Sequence, residues 1–404
     1  MSLAGIAVLV GIAVAFSTNR RAIRPRVVIS AFALQAAIAV VVLYWSAGKK
    51  AIEGLSTGFS AIIAYGNEGI AFIFGELFTS QQYPIFAVNV LPVIVFFASL
   101  MAVLYHLGIM QVLVRILGKG LQYVIGTGPV ESLNAAANVF VGQTEAPLVV
   151  KPYLNSITKP QLFAVMASGT ASVAGTVLAA YAGMGAQLEY LLAASFMAAP
   201  GGLLMAKLMM PDEPATLSAS TRDAIDTVEI EREKNVFLAA ASGAQEGLRL
   251  AAMIGAMLLA FVALIALFNG LIGGLFGLFG VEGVTLELIL GYVFSPLMWL
   301  LSIPWEEAQA AGSLFGKKLI LNEFVAFLDF GAVKDTVSPR TAAIITFTLC
   351  GFANLSSIAI LLGGLGVLMP QHRELIGQYG LRAVIAGSLS NLMSAALASL
   401  LISA

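Results

Sequence analysis

Apolar runs recur along this chain at 2–18, 27–46, 88–113, 161–183, 188–207, 244–271, 341–367 and 381–403. Each is close to the length, about 20 residues of helix, that crosses the hydrocarbon core of a bilayer. The pattern predicts an all-α integral membrane protein with eight transmembrane helices. Residues 51–82 keep apolar positions at helical spacing but are interrupted by Glu53, Asn67 and Glu68, which predicts an interfacial helix. Residues 284–303 are read the same way. A stretch at 130–157 fits neither class. It holds Glu131, Asn134, Asn138, Gln143, Thr144, Glu145, Pro147 and Lys151, too polar to face lipid and too rich in Ala, Val and Phe for a surface loop. Basic residues flank it on what must be one side of the membrane, so it is expected to enter and leave on that side as a re-entrant hairpin. Such a tip, here Gly142 to Pro147, is tolerated only where protein or water surrounds it. Residues 308–338 mirror it, with Lys317, Lys318 and Lys334 near its ends.

The mirroring extends to residue identity. Gly169-Thr170-Ala171-Ser172-Val173 aligns without a gap on Gly351-Phe352-Ala353-Asn354-Leu355, and Glu145 and Glu323 stand at nearly the same offset. In each copy the span after the hairpin gathers Gly, Ser, Thr or Asn at Gly169–Gly175 and Gly351–Ser357. These residues release or compete for backbone hydrogen bonds, so both spans are expected to break there. Arg20, Arg21, Arg24 and Arg26 follow the first apolar run and assign that end to the cytoplasm, leaving the N-terminus outside. Counting spans from there places the C-terminus outside too and makes the hairpins enter from opposite faces. Inverted repeats with broken helices build the central site of many membrane transporters.

Composition agrees with the membrane setting. Hydrophobic residues make up 59% and charged residues 11%, against about a quarter charged in a soluble domain. The net charge of −1 gives no bulk attraction for nucleic acid. One cysteine, Cys350, excludes an internal disulfide framework, and His106 and His372 are too far apart in sequence to suggest a histidine metal site. No Gly-rich loop with Lys and Ser/Thr marks an ATPase. The one hydrophilic segment, 208–240, reads as a solvated cytoplasmic linker.

Glu145 and Glu323 are the candidate chemistry, because a carboxylate in hydrocarbon is costly and functional by default. Ionised, each accepts hydrogen bonds only, which suits the hydroxyl and N–H groups of a polar solute. Gln143 offers donors and an acceptor to an amide-like edge such as that of a nucleobase. Asn138 and Ser172 offer oxygen ligands to a hard monovalent cation, with backbone carbonyls completing the shell. The competing structural readings are carboxylates buried for stability and small residues serving helix packing.

At these residues the chain resembles the concentrative nucleoside transporters, close to the bacterial sodium-coupled members. The motifs are Asn138-Val139-Phe140-Val141-Gly142-Gln143-Thr144-Glu145-Ala146-Pro147-Leu148, Asn322-Glu323-Phe324-Val325 and Cys350-Gly351-Phe352-Ala353-Asn354-Leu355-Ser356-Ser357. The resemblance implies a homotrimer in the bacterial inner membrane, with a lipid-embedded scaffold and a transport domain that moves like an elevator. It implies that Gly142, Gln143, Thr144, Glu145 and Val177 surround the nucleobase. Glu323, Asn354 and Ser357 would bind the ribose hydroxyls, with Phe352 beside them, and Na+ would sit at Asn138 and Ser172 with the carbonyls of Val141 and Val173. The expected division is scaffold at 1–115 and 241–280, with transport repeats at 116–207 and 281–404. The expected activity is sodium-coupled uptake of nucleosides such as uridine. Proton coupling through Glu145 or Glu323 is the alternative within transport, and an intramembrane enzyme using both carboxylates is the alternative outside it.

Overall fold

A computed structural model describes residues 1–79, 85–212 and 233–402, and among these it is helical throughout, without strands. Most of the hydrophilic segment expected at 208–240 lies outside the described residues. The first helices are α1 (Ser2–Ala15), α2 (Pro25–Leu43) and α3 (Ser46–Phe74), followed by two short turns of helix, α4 (Glu76–Thr79) and α5 (Phe86–Asn89). Next come α6 (Leu91–His106) and α7 (Ile109–Ile125). The run read as 88–113 therefore ends at His106. Gly108 adopts φ +82°, a left-handed conformation that glycine takes without steric cost, and the amphipathic α7 starts beyond it. Six helices among the described residues are long and apolar enough to cross a membrane. The first expected span is the 14-residue α1, and the seventh is divided in two.

Both expected hairpins are present as interrupted helical structure. In the first, α8 (Pro129–Ala137) leads into a non-helical tip and a 3-10 stretch, Ala146–Ser156. In the second, α14 (Trp305–Ile320) and α15 (Glu323–Val333) are separated by Leu321 and Asn322. Asn322 ends one arm and begins the other, because its Oδ1 accepts the Val325 N–H at 2.9 Å. The helix before this hairpin, α13 (Leu286–Leu300), turns by 117° into α14. The two pack backbone to backbone where Gly312 faces Gly291 and Gly316 faces Leu290.

Each hairpin is followed by a broken helix. The first is α9 (Lys159–Ala171) and α10 (Gly175–Gly183), the second α16 (Pro339–Leu349) and α17 (Ser356–Leu368). Their starts are related as well. Thr158 caps α9 by accepting the Gln161 N–H, and Ser338 caps α16 by accepting the Thr341 N–H, each beside a proline in the first turn. The breaks fall at Ser172, whose ψ of 169° leaves the helix, and at Cys350, with ψ 76°.

Packing sorts these elements. The spans Lys159–Gly183, α11 (Leu188–Met209) and Pro370–Leu401, which contains α18 (Arg373–Leu401), are 89%, 89% and 83% buried, whereas α2, Phe86–His106 and α12 (Val236–Gly277) are 28%, 28% and 22% buried. The first set is a core and the second presents apolar faces outward. Gly243 and Gly247 of α12 lie directly on Ala98, Ala102 and Val95 of α6, a small-residue contact of the kind that lets membrane helices approach closely. By contrast α1 packs on α18, and α2 packs on α11. The helices before residue 115 thus contact both the outer α12 and the core helices α11 and α18.

Candidate functional site

The tips of both hairpins meet the breaks of both helices. The Phe352 N–H, in the second break, donates to the Ser172 carbonyl in the first at 3.0 Å. The first hairpin is tied to its own break by Gly175 N–H donating to the Phe140 carbonyl at 2.9 Å, and the second by Leu355 N–H donating to the Leu319 carbonyl at 3.0 Å. Four segments that are remote in sequence are thereby fixed around one point. Their backbone groups, which the breaks free from helical bonding, are partly satisfied by each other.

A connected set of side chains occupies that point. Glu323 begins α15 and is 3% exposed. Its Oε1 accepts the Tyr181 hydroxyl from α10 at 3.1 Å, and its Oε2 accepts Asn354 Nδ2 from the second break at 2.9 Å. The Tyr181 ring is held between Phe327, stacked at 4.4 Å, and Phe324 at 4.8 Å. Asn354 Oδ1 accepts the Ser357 N–H at 2.8 Å and the Ser356 hydroxyl at 2.6 Å, which fixes the amide so that its nitrogen faces Glu323. The Ser357 hydroxyl donates to the Phe352 carbonyl and accepts from Gln143 Nε2 of the first hairpin at 3.3 Å. Gln143 Oε1 is buried and makes no hydrogen bond among the described residues, so this network ends there in an acceptor.

The remaining expected residues are placed as follows. Gly142 is buried, and the Glu145 carboxylate folds back over it, close enough that a Cβ at Gly142 would lie 2.5 Å from Glu145 Oε2. Glu145 is exposed in this chain and stands outside the Glu323 network, so the two repeat-related carboxylates have different surroundings. Thr144 packs on Gly364 of α17, and Val177 is buried on α10 one turn before Tyr181. Asn138 caps the end of α8. Its Nδ2 donates to the Asn134 carbonyl at 3.0 Å, while its buried Oδ1 has no partner among the described residues. The Ser172 hydroxyl donates to the Ser168 carbonyl at 3.2 Å. Val141 and Val173 are buried, and no donor among the described residues bonds to either carbonyl. An amide oxygen and two carbonyls without donors among the described residues, together with a hydroxyl, are the kind of oxygen ligand that a hard cation such as Na+ takes.

Three residues of the site escape the sequence reading. Tyr181 had a usable signal, its position one turn after Val177. Lys318, fully buried in the first arm of the second hairpin, was expected only near the hairpin's ends. Asn391 is a buried amide in the apolar second half of α18. A cleft of about 740 Å³ lined by Lys49, Glu53, Glu189, Tyr190 and Arg340 lies elsewhere and shares no residue with the network.

Comparisons with known proteins cover nearly the whole chain. Three family models match in tandem. These are the Na+ dependent nucleoside transporter N-terminus over residues 4–77, the nucleoside recognition Gate over 87–188, and the Na+ dependent nucleoside transporter C-terminus over 190–399. The nucleoside permease NupC of Helicobacter pylori is 48% identical over 99% of this chain and 97% of its own length. The solved structure of CNTnw in an inward-facing substrate-bound state is 51% identical, with a TM-score of 0.94 over 99% of this chain and 97% of that one. A doubly substituted CNTnw in an outward-facing state matches with a TM-score of 0.93 at 50% identity, over the same shares of both chains.

Proposed function

This chain belongs to the Na+ dependent nucleoside transporter family, and from that premise we propose that it is a symporter. In this reading it takes up nucleosides such as uridine on an inward sodium gradient. The observation that carries the proposal is the hydrogen-bonded chain from Gln143 through Ser357 and Asn354 to Glu323 and Tyr181, which links both hairpins and both broken helices. Glu323, Asn354 and Ser357 present acceptors and donors suited to ribose hydroxyls. Gln143, with its free Oε1, suits the amide edge of a nucleobase, and Gly142, Thr144, Glu145, Val177 and Phe352 complete the surroundings. The exposed position of Glu145 is compatible with a role that begins when substrate arrives.

Sodium fits at Asn138 and Ser172 with the carbonyls of Val141 and Val173, because Asn138 Oδ1 is a buried oxygen that lacks a donor among the described residues. There it supplies one positive charge between the first hairpin tip and the first break. The same tip carries Gln143, so ordering by the ion raises nucleoside affinity, and the nucleoside raises sodium affinity by the same factor. Matches to inward- and outward-facing CNTnw favour alternating access by an elevator movement. The packing suggests that α3, α6 and α12 form the frame, and that α1 and α2 travel with the core against which they pack. Homotrimers in a bacterial inner membrane, with both termini outside, complete the proposal.

The test is radiolabelled uridine uptake into proteoliposomes, with an inward sodium gradient and with choline in place of sodium. Sodium-dependent accumulation above the external concentration is expected. Uptake that ignores sodium but follows a pH gradient would replace sodium by protons as the coupling ion.

A further inference from the structure

The second repeat contains a charge that the transport reading leaves unused. Lys318, in the last turn of α14, is fully buried, and its Nζ donates to the Thr348 carbonyl at 2.8 Å and to Asn391 Oδ1 at 2.7 Å. No carboxylate among the described residues stands within ion-pair distance of it. Asn391 passes the contact on, because its Nδ2 donates to the Ala171 carbonyl at 2.6 Å and to the Cys350 carbonyl at 3.0 Å. Ala171 ends α9, and Thr348 and Cys350 lie at the end of α16. One ammonium therefore serves the C-termini of both first half-helices, directly or through one amide. A helix C-terminus carries about half a negative elementary charge. Two of them together match one cation, and the Glu323 carboxylate of the same hairpin adds its negative charge from beyond ion-pair distance.

The two repeats complement each other at this place. By the repeat alignment Lys318 corresponds to Phe140, Leu319 to Val141 and Leu355 to Val173. In the first repeat, among the described residues, no donor reaches the Val141 and Val173 carbonyls or Asn138 Oδ1. In the second repeat the Leu319 carbonyl is closed off by the Leu355 N–H, and the adjacent residue is the lysine. Space is also committed. A Cβ on Gly351 would fall 2.1 Å from Asn391 Oδ1, so the break is built around the amide that holds the ammonium.

We propose that Lys318 is a resident cation that fixes the second break through Asn391, doing for the second repeat what a bound sodium ion does for the first. It is a positioning residue for Asn354 and Ser357 and touches no substrate. The inference rests on the sodium reading above for its comparison. It has two consequences. The second repeat needs no ion from solution, so one sodium moves per nucleoside. An uncharged side chain at 318 leaves an acceptor pair that a small free cation can fill.

The experiment measures uridine binding by titration calorimetry on purified wild type, Lys318→Met and Lys318→Ala, with thermal unfolding as the check on folding. Lys318→Met is expected to weaken uridine binding about tenfold, the loss of a charge at two helix ends. In Lys318→Ala, methylammonium chloride is expected to restore part of that affinity, while leaving wild type unchanged. Wild-type affinity and sodium dependence in folded Lys318→Met would overturn the proposal, as would a loss in Lys318→Ala that methylammonium cannot touch. If neither variant folds, the wild-type protein decides, through the sodium-to-uridine ratio at zero net flux in proteoliposomes. A ratio of one is expected, and a ratio of two overturns the resident-cation role. Sodium-independent binding by wild type would instead sink the sodium reading, and with it the comparison between repeats.

Discussion

Replacing Glu323 with glutamine separates recognition from folding in a way that replacement with alanine does not. The carboxylate receives two buried donors, the Tyr181 hydroxyl and Asn354 Nδ2. Glu323→Ala would strand both, at about 1–3 kcal/mol each, so lost binding in that variant could be lost structure. Glu323→Gln keeps the shape and one acceptor. Asn354 cannot turn to accept, because its Oδ1 is already held by Ser356 and by the Ser357 N–H. The glutamine oxygen must therefore face Asn354 and its nitrogen Tyr181, whose hydroxyl can accept instead. The fold is retained at the expense of about one ordinary hydrogen bond, roughly 1 kcal/mol. Recognition suffers more. A hydroxyl donating to a carboxylate contributes about 1.5–3 kcal/mol, so uridine affinity is expected to fall about 10- to 150-fold. The assay is calorimetric binding of uridine, 2′-deoxyuridine and 3′-deoxyuridine to wild type and Glu323→Gln. If the carboxylate holds a ribose hydroxyl, the analogue lacking that hydroxyl loses affinity in wild type and little further in the variant. Fully additive losses for both analogues, or wild-type uridine affinity in the variant, refute the assignment.

The hairpins and the breaks were legible because their sequences contradict their surroundings. Asn138 to Pro147 and Gly351 to Ser357 place polar and small residues where lipid-facing helix would need apolar ones, and the structure interrupts the helices there. Repetition made the signal stronger, since Ser172 and Asn354 align and both lie in breaks. What sequence could not supply was the distinction between two like residues. Glu145 and Glu323 are equivalent in the repeat, yet one is exposed and the other is bound by Tyr181 and Asn354. That difference arises from contacts more than 30 and 140 residues away. For a related reason sequence alone treats Lys317, Lys318 and Lys334 alike, as residues near the hairpin ends. Lys317 does behave that way, pairing with Glu287 at 3.3 Å and with Asp329, but one residue of helix turns Lys318 into the core. Order along the chain is the basis for reading residues 1–115 as one scaffold; the structure adds that α1 also touches α18, and α2 touches α11, from the far side of the sequence.

Two further substitutions probe the parts of the site that bind no nucleoside. Asn138→Ala removes the orphaned oxygen, so the sodium concentration for half-maximal uridine binding should rise. By linkage the uridine dissociation constant at fixed low sodium should rise with it, within the 5- to 150-fold range typical of coupled sites; titrating each ligand against the other checks the equality. Lys207→Met tests what anchors the first hairpin. Lys207 is 3% exposed and lies 2.7 Å from Glu131 of α8 and 2.6 Å from Asp212, while Glu131 also accepts the Gly128 N–H at 2.6 Å. Removing one partner of a buried pair leaves the other charge uncompensated, at about 3–5 kcal/mol, so Lys207→Met should lower the unfolding temperature sharply. Adding Glu131→Gln should recover most of the loss, because the neutral amide still accepts from Gly128 and the one carboxylate left without the lysine, Asp212, is partly exposed to water. A double variant as unstable as the sum of its single variants would mean that the pair contributes packing, and that charge compensation is not what holds the first hairpin to α11.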